Sequence, residues 1–362
     1  MPAAICFFLL FLLPFVIAPF GVTEFEVPKV VIGEGGIIVL FLLSFFFKNN
    51  VFSISRKQAY LYGVIGIVSV IDLLFFRSSI SFFGNVFRMQ GIFLLWLLLL
   101  FSVVSESCTF RNIPWYVFGL LLLVESIAIF FLPLNASQRY VGTLGEPNAL
   151  AAFVIFLWPF AFFGVKKFSL KEKIGMGGIM LLIVLVLFLT DSKSAMIAFA
   201  IQVVAIVLYK KHFLPKKIVL ICVCLYIISY LLPFFDQTLY ENRVQVWQAA
   251  LFGGFTHPLL GNGFGNIEFV LHSAAHTLHL AIQYYYVDSS HNMLFDWWVE
   301  AGLVGVSIVS LLTYYTVRKF IQTKNMREIT LVLGMITVLS FNPASVVGLL
   351  GFWWLIGQGL KK

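Results

Sequence analysis

Charged side chains are scarce in this chain: Asp, Glu, Lys and Arg make up 11% of its 362 residues. A soluble domain carries roughly 25%, so the chain lacks the polar surface a water-exposed enzyme needs, and that class is excluded. Disorder is excluded with it, because disorder requires low hydrophobicity and 61% of these residues are hydrophobic. There is no basic stripe of the kind that grips nucleic acid, since the net charge of +8 is spread over short clusters. Cysteine is nearly absent as well. Cys6, Cys222 and Cys224 lie in apolar runs and Cys108 in a short polar stretch, which leaves no disulfide framework and no CxxC metal pattern. The sequence has no internal repeat and no low-complexity linker. Its first 20 residues lack a basic start and a clear small-residue cleavage site, and read as a retained helix and not a signal peptide.

Long apolar runs are what the chain has in abundance. They fall at roughly 3–20, 30–47, 59–76, 91–104, 113–132, 148–165, 174–190, 195–209, 218–235, 293–317, 329–341 and 346–360. At about 20 residues per spanning helix, twelve helices use about two thirds of the chain. Basic loops stay cytoplasmic. With the N-terminus inside, 18 of the 24 Lys and Arg residues fall on that side. The expected fold is therefore an all-α polytopic membrane protein, a single membrane domain over 1–362. It has about 12 transmembrane helices, both termini cytoplasmic, and one long outer loop with amphipathic helices between helices 9 and 10. That loop, 236–292, holds five of the six histidines. A connection of this size is uncommon unless functional, so the active site is expected there.

Six cations remain on the outer side: Lys29, Arg77, Arg88, Arg139, Lys193 and Arg243. A cation that survives the charge bias either snorkels at a helix end or binds an anion, and phosphate is the obvious anion. Arg243 is the best candidate, because it shares one face of an expected helix with Trp247, four residues on. The glycines of His257-Pro258-Leu259-Leu260-Gly261-Asn262-Gly263-Phe264-Gly265 read as a tight turn, since no βαβ unit can surround them. Glu268, His272, His276 and His279 have helical spacings that could hold zinc; an interfacial helix with its histidines towards headgroups is the plainer account. In Asp288-Ser289-Ser290-His291-Asn292, Ser290 is expected to cap the following helix. His291 in the first turn would then be kept neutral by the helix dipole and able to accept a proton. Glu34, Asp72, Glu125, Asp296 and Glu300 lie inside apolar runs, where carboxylates are costly. A proton-coupled transporter would use such residues, and it is the rival class.

Five motifs occur in order: Gly142-Thr143-Leu144-Gly145-Glu146-Pro147-Asn148-Ala149-Leu150-Ala151, Thr190-Asp191-Ser192-Lys193-Ser194-Ala195, Arg243-x3-Trp247, the His257 to Gly265 turn, and Ser290-His291-Asn292 followed by Glu300-Ala301-Gly302-Leu303-x-Gly305. Together they resemble the O-antigen ligase and O-antigen polymerase superfamily over about 139–306. The resemblance implies an integral glycosyltransferase of the bacterial inner membrane. Its donor would be a glycan on undecaprenyl pyrophosphate, transferred on the periplasmic face to lipid A core, another glycan repeat or a protein hydroxyl. It also implies inversion at the anomeric carbon, with no metal and no cofactor. Lys193 stands where the family usually has Arg; it supplies a point charge and not a bidentate grip.

Residues and resemblance meet in one expected mechanism. His291 is the general base that takes the acceptor proton. Arg243, then Arg139 and Lys193, then Arg88, stabilise the leaving pyrophosphate. Trp247, Asn148 and Asn292 are weaker candidates for contacts to sugar, and Tyr284 to Tyr286 either stack on sugars or sit in the interfacial belt. Ligase, polysaccharide polymerase and protein O-oligosaccharyltransferase share these residues, so the acceptor stays open.

Overall fold

A computed structural model describes residues 2–46, 54–76, 78–110, 112–135, 137–165, 169–232, 243–280 and 287–361. Arg77 and Tyr284 to Tyr286 lie outside the described residues. Among the described residues the regular elements are all helices, and extended backbone pairs only at an isolated antiparallel bridge, Leu134 with Tyr140. This is the solution an apolar solvent enforces, because a helix satisfies its own backbone groups.

The helices are α1 (Pro2–Phe15), α2 (Glu26–Phe46), α3 (Arg56–Phe76), α4 (Ser79–Phe83), α5 (Ile92–Val104), α6 (Trp115–Ala128), α7 (Pro147–Gly164) and α8 (Leu170–Thr190). They continue with α9 (Lys193–Lys210), α10 (Pro215–Ser229), α11 (Arg243–Gly254), α12 (Ile267–Thr277), α13 (Met293–Gln322), α14 (Met326–Leu339) and α15 (Val346–Leu360). Each of the twelve apolar runs overlaps one of these helices. By length and composition six of them, α2, α3, α7, α8, α9 and α13, can cross a membrane, and shorter apolar helices at the α1, α5, α6 and α15 positions accompany them.

Burial sorts the bundle. Over its apolar window α7 is 83% buried, whereas the other five long helices are 28–39% buried, so α7 is the axis and the rest turn one side to lipid. Two devices hold the axis. Phe11 packs its ring on Phe118 and Phe160 at centroid distances of 5.2 and 5.1 Å, a geometry that adds to plain area burial. Gln202 of α9 accepts from Trp158 Nε1 at 2.6 Å and donates to the Thr330 carbonyl at 3.0 Å. That polar link crosses α7, α9 and α14 where water cannot compete.

Four of the five carboxylates inside apolar runs are anchors for loops. Asp72 accepts from Phe264 N at 3.0 Å, Glu300 from Gly265 N at 2.9 Å, Asp296 from Ser290 N at 2.7 Å and Glu125 from Thr143 N at 2.7 Å. Glu34 is half-buried on α2. Each of the four anchoring groups satisfies a main-chain donor that would otherwise be stranded at the bundle end.

The glycine-rich turn does more than redirect the chain. Helix α13 breaks at Gly302, whose φ of 61° and ψ of −156° leave the helical region. The groups freed by the break are taken up by the turn: Asn262 N donates to the Val299 carbonyl at 2.8 Å, Gly263 N to Glu300 O at 3.0 Å, and Leu303 N to Pro258 O at 2.9 Å. A Cβ at Gly302 would lie 2.5 Å from the Leu259 carbonyl oxygen, and one at Gly261 2.3 Å from Glu300. Backbone approaches backbone there, and only glycine permits it.

Candidate active site

The N-terminal end of α7 begins the site. Glu146 caps the helix, accepting from Ala149 N at 2.6 Å, and receives Asn148 Nδ2 at 2.8 Å. This fixes Asn148, whose Oδ1 accepts from Arg139 Nη2 at 3.1 Å and from Ser192 Oγ at 2.9 Å. Arg139 is aimed by a second bond, Nε to the Thr190 carbonyl at 2.7 Å. Ser192 meets Ser194 at 3.2 Å, and Ser194 accepts from Asn342 Nδ2 at 2.7 Å. Asn342 Oδ1 in turn faces Arg243 Nη1 at 3.5 Å. Two arginines expected from sequence, far apart in the chain, are thus joined by one buried polar chain.

Helix α11 brings Arg243 and Trp247 to this chain on one face, as their spacing predicted, and both are buried. Trp247 packs on Tyr230, Phe295 and Phe341 at centroid distances of 5.6, 5.9 and 6.0 Å. It is therefore a wall of the site and not an open platform. Tyr230 receives Asn292 Nδ2 on its hydroxyl at 3.0 Å, so Asn292 is held from the aromatic side.

The cap of α13 corrects the sequence reading. Asn292, not Ser290, is the N-cap: its Oδ1 accepts from Leu294 N at 2.9 Å and Phe295 N at 3.3 Å. Ser290 is diverted to the Asp296 carboxylate and the Asn292 carbonyl. His291 consequently lies before the helix, in the left-handed region at φ 58°, a conformation uncommon for a side-chain-bearing residue. Six other described non-glycine residues share that region, among them Gln138, Asp191 and His279, so the conformation is not peculiar to this position. His291 N donates to Ser289 Oγ at 3.0 Å. Its Nδ1 is buried and has no hydrogen-bond partner among the described residues. Burial first, then the charges of Arg243 and Arg88, push the imidazole well below its ordinary pKa. The imidazole is kept neutral by desolvation and two guanidiniums, and not by the helix dipole expected from sequence.

Arg88 stands closer to this histidine than its ranking implied. Its guanidinium pairs with Asp288 and donates to the Ala344 carbonyl at 3.2 Å. Beside the pair opens a cavity of about 120 Å³, polar at Asn85, Asp296 and Glu300 and apolar where Leu98 and Trp353 line it. Lys193 is different: it pairs with Asp191 and its side chain remains 39% exposed, at the rim. On the surface of α12 and just beyond, His272, His276 and His279 are exposed. Among the described residues no three His, Cys, Asp or Glu side chains are grouped as a metal would need.

Sequence reasoning missed Asn342 and Tyr230. Asn342 sits in an Asn-Pro turn between two apolar helices, 148 residues from the serine it holds; a polar residue at an apolar boundary was its only signal.

No curated protein matches the chain. A family model described as O-antigen ligase matches residues 178–310, from within α8 to within α13. That stretch contains Lys193, Arg243, the glycine turn and His291, while Arg88, Arg139, Asn148 and Asn342 join the site from outside it. Residues 178–310 are thus where this chain is similar to the O-antigen ligase family.

Proposed function

We propose that the chain is an O-antigen ligase-type glycosyltransferase. It moves a glycan from an undecaprenyl-pyrophosphate donor to an acceptor hydroxyl on the periplasmic face of the bacterial inner membrane. The observation that carries this reading is His291: a buried imidazole nitrogen with no partner in the described structure, flanked by two arginines. The charges that drive a proton off the imidazole are the same charges that draw in a pyrophosphate. The site therefore holds a proton acceptor and an anion receptor side by side.

In the reaction His291 takes the proton from the acceptor oxygen as that oxygen attacks the anomeric carbon from the face opposite the leaving group, which inverts the centre. The bond to the pyrophosphate oxygen breaks, and Arg243 and Arg88 stabilise the charge that develops there, with Arg139 further along the polar chain. Lys193 contributes a screened charge at the rim. Asn148 and Asn292, held by Glu146 and Tyr230, shape the part of the site that receives sugar. No step calls for a metal or a cofactor. Lipid A core, a second glycan repeat and a protein hydroxyl are all competent acceptors for this chemistry.

The experiment is an assay of the purified protein in nanodiscs with an undecaprenyl-pyrophosphate-linked oligosaccharide and each acceptor class in turn. Transfer to one acceptor, undiminished by EDTA, is the expected result. A proton-coupled transporter leaves the donor untouched in that assay, and an unreacted donor with every acceptor overturns the proposal.

A further inference from the structure

Towards the helix ends away from the site, the helices leave a furrow. Helix α10 packs on α9, and α13 packs on α14, while α9 and α14 pack on each other behind them. The space between α10 and α13 is a groove of about 660 Å³, walled by Val219, Val223, Val317 and Ile321 and floored by Cys222 and Leu333. Lys216 and Arg318 stand at its mouth, and no acidic residue lines it. Both cations are exposed, and among the described residues neither has a hydrogen-bond or ion-pair partner. The groove ends at Tyr226, whose hydroxyl is engaged by Tyr230 and Ser340. From Lys216 to Tyr226 is ten residues of helix, about 15 Å, or about half the thickness of a bilayer's hydrocarbon core. The furrow is thus one leaflet deep, apolar within and positive at its opening.

We infer that this groove binds one anionic phospholipid of the leaflet at that face, its headgroup phosphate held between Lys216 and Arg318 and an acyl chain along the apolar walls. Basic pockets between membrane helices recognise such headgroups, and the position of Lys216 in the first turn of α10 adds the positive end of that helix's dipole. Charge complementarity selects an anionic lipid over a zwitterionic one. Depth selects a phospholipid over a polyprenyl carrier, whose longer tail cannot be housed in a single leaflet. The inference uses none of the residues of the candidate site and stands apart from its chemistry.

The test is native mass spectrometry of the intact protein released from nanodiscs that contain phosphatidylglycerol and phosphatidylethanolamine in equal amounts, with undecaprenyl phosphate added in a second series. The expected result is one phosphatidylglycerol retained per chain. Retention should fall at least tenfold in the doubly substituted Lys216→Gln, Arg318→Gln protein, and also in Val223→Trp, which fills the groove without removing charge. Lys171→Gln with Lys173→Gln, which removes two cations elsewhere, should leave retention unchanged. Undiminished retention in the first variant, equal retention of phosphatidylethanolamine, or preferential retention of undecaprenyl phosphate would each overturn the inference.

Discussion

The two halves of the candidate site are built on different principles. From Glu146 through Asn148, Ser192 and Ser194 to Asn342, which faces Arg243, donors and acceptors are matched in sequence, so that half is ordered before any substrate arrives. At His291 the backbone is strained and a buried ring nitrogen lacks a partner. An unmatched buried polar atom costs about 1–3 kcal/mol, and at His291 an incoming hydroxyl would supply the missing donor.

That contrast can be broken from either side. The largest effect is expected for Arg243→Ala, which removes a charge contact present in the ground state and strengthened in the transition state. Donor affinity falls and turnover falls by about 10² to 10³, read by single-turnover kinetics at saturating donor. Arg243→Lys should restore more of the binding than of the turnover, because the planar fork is lost. Next comes pH. With His291 held below the ordinary imidazole range, the acid limb of the rate profile should lie below about pH 6.5. Turnover depends on the neutral form, so it is lost as pH falls through the lowered pKa and is flat above it. Arg88→Gln removes one of the repelling charges and should move the limb to higher pH.

Asn342→Ala should have a smaller effect, about tenfold in turnover, because it unties Arg243 from Ser194 and costs a hydrogen bond to a charged group. The smallest is expected at Lys193. Its charge is already neutralised by Asp191 and wetted by solvent, so Lys193→Ala should change turnover by no more than a few fold, in keeping with the weakness of exposed ion pairs. A hundredfold loss there would make the rim, and not the buried chain, the anion receptor.

How far the sequence reveals this site follows from what each feature depends on. The apolar runs report local hydropathy, and each of the twelve overlaps a helix. The Arg243 and Trp247 pair is a helix-period signal, and helix α11 displays it. Three features are not local. The break at Gly302 is stabilised by main-chain groups of the turn some 40 residues earlier, so hydropathy reads α13 as one continuous helix. Ser290 is a sound N-cap by residue type, yet Asp296 competes for its hydroxyl and Asn292 takes the role. The carboxylates in apolar runs look like a proton relay until the loops that they anchor are in place. Asp72→Asn, which keeps an acceptor for Phe264 N, should accordingly retain most transfer activity.

The central claim, that His291 is the base and Arg243 a charge receptor, is tested most directly by measuring donor binding and the single-turnover rate of His291→Ala. The account predicts donor affinity within a few fold of the unmodified protein and a rate lower by about 10² or more. Transfer at the unmodified rate would contradict it and return the search for the base to Asp288, His279 and Glu268.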